Sequence, residues 1–120
     1  MNIALWIVQA LLGFAFLMAG GMKASQSKEK ILENPQMGWA NDFSDSQIKT
    51  IGILEVLGAI GIVLPWATDI LPWLTPLAAF GLVLTMIGAA YTHYRRGEMQ
   101  AIIPNMVLLA LALFVAIGRL

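Results

Sequence analysis

The sequence has no cysteine, a single histidine and few charges. Without thiols the chain has no disulfide, no thiolate metal site and no thiol relay. His93 alone cannot supply a bis-histidine haem or a histidine-rich zinc site within one chain. No glycine-rich phosphate loop and no nucleophile elbow occurs. Charged residues make up 12%, against roughly a quarter in a soluble domain. The 7 basic and 7 acidic residues cancel and form no stripe that could follow a phosphate backbone, so nucleic acid is not an expected partner. Any redox chemistry would have to use a diffusible cofactor or one carried by a partner.

What the chain has in quantity is apolar sequence, 59% of 120 residues. Four uncharged or nearly uncharged runs, at about 2–22, 48–66, 73–92 and 99–118, each approach the 20 or so residues that cross a hydrocarbon core as a helix. The first has no basic residue before it and is longer than a signal-peptide apolar region, so a retained helix is expected. The expected fold is all-α: a single domain over 1–120, forming a transmembrane four-helix bundle with antiparallel up-down topology and a soluble loop at 24–47.

Of the lysines and arginines, only Arg119 falls on the side of the termini; Lys23, Lys28, Lys30, Lys49, Arg95 and Arg96 fall in the other two loops. The positive-inside bias then makes loops 23–49 and 95–98 cytoplasmic and both termini external. Trp6, Trp66 and Trp73 would mark one interface, and Trp39, Phe43, Tyr91 and Tyr94 the other, as amphipathic anchors. Lys23, Arg95 and Arg96 double as topology signals and phospholipid contacts.

The repeated Pro-Trp pairs, Pro65-Trp66 and Pro72-Trp73, predict that the second helix stops at Pro65–Trp66 and that a tight turn carries a solvated Asp69. In the loop, "SQSKEKILE" suits a turn or two of surface helix, and Asn34-Pro35 and Gly38 break it. The loop reads as a connector, with cover for the bundle mouth as the alternative. Ser44 or Asp45 offers an N-cap for the second span, with Gln47 completing a capping box.

Helices in lipid associate through small residues and occasional polar contacts, so small residues at helical spacing should mark inward faces. Those faces read Gln9, Gly13, Gly20, Ala24; Gly52, Glu55, Gly58 or Ala59; Gly81, Thr85, Gly88, Thr92; and Ala101, Asn105, Ala112, Ala116. Glu55 is the one carboxylate in "ILEVLGAIGIVLP". Facing lipid it would cost several kcal/mol, so it should face the interior or a wet cavity with a partner, or be protonated. By helical rise, Glu55 and Asn105 lie at similar depth, and His93 and Lys23 end their spans on the same side. The opposite half offers only Gln9, Thr68, Thr75 and Asp69. Pro104 falls in the second turn of the last helix and frees the Gln100 carbonyl beside Asn105.

Lys23, Glu55, His93 and Asn105 are therefore the candidate ligand-binding residues, with no metal site and no assigned catalytic residue. Three roles suit them: a proton relay or acid–base pair, recognition of the polar end of a lipid-like ligand, or structural hydrogen bonding that fixes helix register.

The stretches "LLGFAFLMAGGMK", "IGILEVLGAIGIVLPWATDILPWLTPLAAFGLVLTMIGAAYTHYRRGE" and "NMVLLALALFVAIGRL" together resemble the DoxX-like family of small four-helix membrane proteins. The resemblance implies a four-helix bundle in a bacterial inner membrane. It also suggests a connection with quinol oxidation and thiosulfate:quinone oxidoreduction, and it places Lys23, Glu55, His93 and Asn105 among the family's recurring polar positions without giving them a catalytic role. The expected function is an accessory protein that binds a quinone-like or lipid-like molecule. It would lie in membrane lipid, within a redox complex beside a partner subunit. The alternatives are a proton-coupled carrier or channel for a small solute, working as a homodimer, and a membrane isomerase or quinone reductase using Glu55 and His93.

Overall fold

A computed structural model describes the chain from Met1 to Leu120, the side chain of Gln36 excepted. Helix α1 covers Asn2–Ser25 and α2 Lys28–Leu32; a 3-10 stretch follows over Pro35–Asp42; α3 covers Asp45–Thr68, α4 Leu74–Arg95 and α5 Met99–Gly118. Helices α1, α3, α4 and α5 are each long and apolar enough to cross a membrane. Their outward faces stay apolar, with Ile3, Leu57, Leu84 and Ile103 among the exposed large side chains. Such a surface suits acyl chains.

The four long helices form a ring in which α1 packs most extensively on α3 and α4 on α5, with α3 against α4 and a smaller α1–α5 contact. Along α1 and α3 the contacts step in opposite senses: Gly20 meets Gly52 and Glu55, while Gly13 meets Ala59 and Val63. The core between the helices includes Leu12, Phe16, Ile62, Leu82 and Val115.

Glycine at positions 20 and 52 is what lets α1 and α3 touch. A Cβ on Gly52 would lie 2.6 Å from the Ala24 nitrogen and 2.7 Å from the Gly20 oxygen. A Cβ on Gly20 would lie 2.6 Å from the Gly52 oxygen. Both obstacles are backbone, which cannot move aside, so this is the close approach that small residues permit in lipid.

Three expectations need correction. First, α3 does not stop at Pro65 but runs on to Thr68. Proline leaves the Gly61 carbonyl without its helical donor, and the Thr75 hydroxyl of α4 donates to that oxygen at 3.0 Å. The next carbonyl, Ile62, accepts from Gln9 Nε2 of α1 at 2.8 Å. Neighbouring helices thus satisfy the proline-broken turn, as they must where water is scarce. Asp69 follows as the left-handed C-cap, φ 57°.

Second, the small-residue face of α4 is not closely packed on a neighbour, and its Thr85, Gly88 and Thr92 border a cavity between the helices. The buried residues of α4 are Thr75, Pro76, Ala79, Leu82, Val83 and Met86. Gly81 and Gly88 have nothing within 4 Å of where a Cβ would be. On this helix the small residues leave space open.

Third, the 24–47 loop is more than a connector. Ser27 caps α2, the Ser44–Gln47 capping box starts α3 as expected, and Ile31, Ala40 and Ile48 make a small buried core of their own. That core seats the 3-10 stretch on the bundle end nearest Lys23.

The glycine contact gives a direct contrast. Gly52→Ala should destabilise the fold by about 1–3 kcal/mol, the usual cost of overpacking. Gly21→Ala, with nothing within 4 Å, should be neutral or stabilising by up to about 1 kcal/mol. Thermal unfolding of the detergent-solubilised protein measures both, and equal effects would contradict the packing described.

Candidate functional site

Each α1–α3 glycine faces the charged residue three positions beyond the other. A Cβ on Gly52 would meet Lys23 Cβ at 2.8 Å, and one on Gly20 would meet Glu55 Cβ at 2.9 Å. Two G-x-x-charge motifs, Gly20/Lys23 and Gly52/Glu55, therefore interlock across the contact. Lys23 Nζ lies 2.6 Å from Glu55 Oε1, with side-chain exposures of 12% and 3%. Of the partners available to Glu55, the fold selects Lys23, which turns a buried acid into a buried ion pair.

That pair opens onto a cavity of about 470 Å³ between the helices. All four candidate residues line it: Lys23 from α1, Glu55 from α3, His93 from α4 and Asn105 from α5. Phe16, Leu54, Met86 and Leu108 supply apolar wall, and Trp39 and Phe43 close it from the loop. The two aromatic residues pack edge to face at 6.0 Å, and the Lys23 ammonium sits 5.5 Å from the Trp39 ring centroid. They are cavity wall, which corrects their reading as interfacial anchors; Tyr91 and Tyr94 remain exposed.

The polar groups have capacity to spare. Lys23 carries three N–H donors and gives one to Glu55. The Asn105 amide reaches only the Met86 sulfur, at 3.7 Å, and a thioether is a weak acceptor. His93 Nδ1 lies 2.8 Å from Glu98 Oε1. With a carboxylate there, Nδ1 carries the proton and Nε2 of the neutral ring becomes the acceptor. His93 is thus paired with Glu98 and not with Glu55.

Glu98 belongs to a latch over this end of the bundle. Arg96 donates to Glu98 Oε2 at 3.2 Å and to Asp42 Oδ1 at 3.0 Å, tying the α4–α5 turn to the loop. Gly38 passes beneath it, where a Cβ would lie 3.1 Å from the guanidinium. Hydrogen bonding to His93, and then to Arg96, holds the Glu98 carboxyl below its ordinary value, against a partial opposing effect of desolvation.

The opposite end is more polar than its sequence suggested. Arg119, taken only as a topology charge, is 6% exposed. Its Nε donates to Gln9 Oε1 and its Nη1 to Asn2 Oδ1, both at 2.8 Å. The guanidinium lies 4.5 Å from the Trp66 ring centroid and 5.5 Å from that of Trp6. Gln9 is thereby satisfied at both ends, bridging α3 and the Arg119 segment. The clue was in the sequence: two tryptophans and a polar Gln9 at the depth of one arginine. Among the described residues, no three His, Asp or Glu side chains converge as a metal site would require.

Four apolar spans around an ion-paired, partly polar cavity define a small polytopic membrane protein. The DoxX-like family model matches residues 7–115, and the chain belongs to that family. No curated protein and no solved structure matches it.

Two outcomes follow from this geometry. Lys23→Met strands the Glu55 carboxylate and should destabilise the protein by about 3 kcal/mol, unless protonation relieves it. Adding Glu55→Gln to Lys23→Met should recover most of that loss in thermal unfolding; no recovery would mean that the two side chains are not coupled. The latch has a pH signature. A carboxyl whose folded pKa is lowered stabilises fully above its unfolded value, about 4.3, and the stabilisation disappears as pH falls through the folded value. Acid titration of the melting temperature should show this loss in the wild type and less of it in Glu98→Gln, whereas identical profiles would count against the latch.

Proposed function

We propose that this DoxX-like protein is an accessory, non-catalytic membrane protein that binds a quinone-like molecule by its carbonyl-bearing head in the cavity between Lys23, Glu55, His93 and Asn105. The observation that carries this reading is the convergence of those four side chains, one from each spanning helix, on an otherwise apolar cavity, each with hydrogen-bonding capacity left over. Lys23 and Asn105 offer N–H donors to carbonyl oxygens. His93 Nε2, held as an acceptor by Glu98, suits the hydroxyl of a reduced, quinol-like form. Concave, largely apolar sites with a few placed polar groups are the usual form of small-molecule sites.

The same features favour binding over the alternatives. A lone titrating acid would suit a proton-coupled carrier, but Glu55 is matched by Lys23. An isomerase or reductase using Glu55 with His93 would need the two to act as a pair, and each has a different partner. The DoxX-like resemblance suggests a bacterial inner-membrane setting, and the lysine and arginine bias supports loops 23–49 and 95–98 being cytoplasmic. There the cavity would open toward the cytoplasmic half, within reach of a redox partner subunit or a second copy.

Native mass spectrometry of the gently extracted protein in lipid tests the proposal. The wild type should carry a copurifying small molecule or load with added benzoquinone. Glu55→Gln and, independently of the ion pair, Asn105→Leu should each reduce retention by about tenfold, the equivalent of one good hydrogen bond. A wild type that emerges empty and stays empty with added quinone would overturn the proposal.

A further inference from the structure

The polar cavity does not end at its apolar walls. A second cavity of about 450 Å³ runs between α3 and α4. Leu54 and Thr85 line both, so those two side chains stand between the two spaces. The second is a groove walled by Leu57, Leu77, Leu82 and the small residues Gly58, Gly61 and Gly81. Its one polar side chain, Thr85, has its hydroxyl already bonded to the Gly81 carbonyl at 3.0 Å.

Groove shape restricts what fits. At Gly58 and Gly61 the helices nearly touch: added Cβ atoms would lie 2.8 Å from Leu82 and 2.9 Å from Ala78. At Gly81 there is open space within 4 Å. The groove is therefore a shallow furrow with a closed floor. From Thr85 to Leu74 it follows eleven helical steps of α4, about 16 Å at the helical rise. Leu57 and Leu77, 59% and 57% exposed, form its outer lips. A furrow of this kind has room for one linear chain; a two-tailed phospholipid would have to leave its second tail outside it. At the head end the ammonium of Lys23 is already neutralised by Glu55, which favours an uncharged head over a phosphate.

We infer that the bound molecule is an amphiphile with an uncharged, carbonyl-bearing head and a single linear apolar tail, the head in the Lys23–Asn105 cavity and the tail threading past Leu54 and Thr85 into the α3–α4 groove. This rests on the head-binding reading above and adds the tail site. The tail gains nothing from leaving water, because lipid is as apolar as the groove, so the groove selects by shape, and blocking it acts through exclusion. Gly81 on the exposed face of α4 thus has a role: a small residue there keeps the furrow open.

The test compares a tailless benzoquinone with its decyl-substituted form, each titrated into protein in lipid nanodiscs. Gly81→Phe fills the furrow from α4, and Leu57→Trp fills it from α3; unchanged melting temperatures establish that both variants fold. Both should weaken the decyl form by about tenfold while changing the tailless form by less than about twofold. If the variants treat both probes alike, the tail does not use the groove, and the inference fails while head binding stands. If the wild type binds neither probe, the head-binding reading itself fails. If either variant changes the subunit count, the groove is an interface between copies, and the tail assignment is overturned.

Discussion

The structure depends on a close approach of two backbones that leaves a carboxylate and an ammonium facing each other inside a membrane. Gly20 and Gly52 allow α1 and α3 to touch, and that contact sets Lys23 2.6 Å from Glu55. Neither half suffices alone. Charges buried without the contact would be desolvated and unpaired, and the contact without the charges would be one apolar packing among several. Together they fix the α1–α3 register and place a neutral but strongly polar patch at the head of a cavity. Buried ion pairs are poor sources of net stability. Here the pair serves to position hydrogen-bonding groups where lipid offers none.

The two ends of the bundle solve the polar-group problem differently. At the Arg119 end, amide oxygens from Gln9 and Asn2 accept from Nε and Nη1 and the faces of Trp6 and Trp66 pack against the guanidinium, while its Nη2 is buried without a partner among the described residues, and Gln9 and Thr75 reach across to the carbonyls that Pro65 disturbs. That end is nearly closed. At the Lys23 end the polar groups are left with unused capacity, and a small folded loop, latched through Arg96 to Asp42, forms the roof. One end is closely packed and the other holds an open cavity.

Much of this was legible in the sequence. The spans follow from uncharged run length, and the inward placement of Glu55 follows from its cost in lipid. The cap of α3 follows from Ser44 and Gln47. Less legible were features set by partners distant in the chain. Pro65 ends a helix by local rules, but here Thr75 and Gln9 supply the missing donors. Gly81, Thr85 and Gly88 follow the spacing of a packing face, yet a small residue serves equally to admit a neighbour or to leave a gap, and only the position of α3 decides which. Arg119 looked like a terminal topology charge because its acceptors lie in α1. The interlocked Gly20/Lys23 and Gly52/Glu55 motifs could have been seen in advance, since both pairs share the same spacing and sit on adjoining spans.

The ionisation and pairing of Glu55 can be measured in a bilayer by solid-state NMR, using the carboxyl carbon of Glu55 and the ammonium nitrogen of Lys23. An ionised carboxylate signal with strong dipolar coupling to that nitrogen at neutral pH is the expected result. A protonated Glu55 carboxyl with no coupling to Lys23 would contradict it, and the cavity would lose the interaction that organises it.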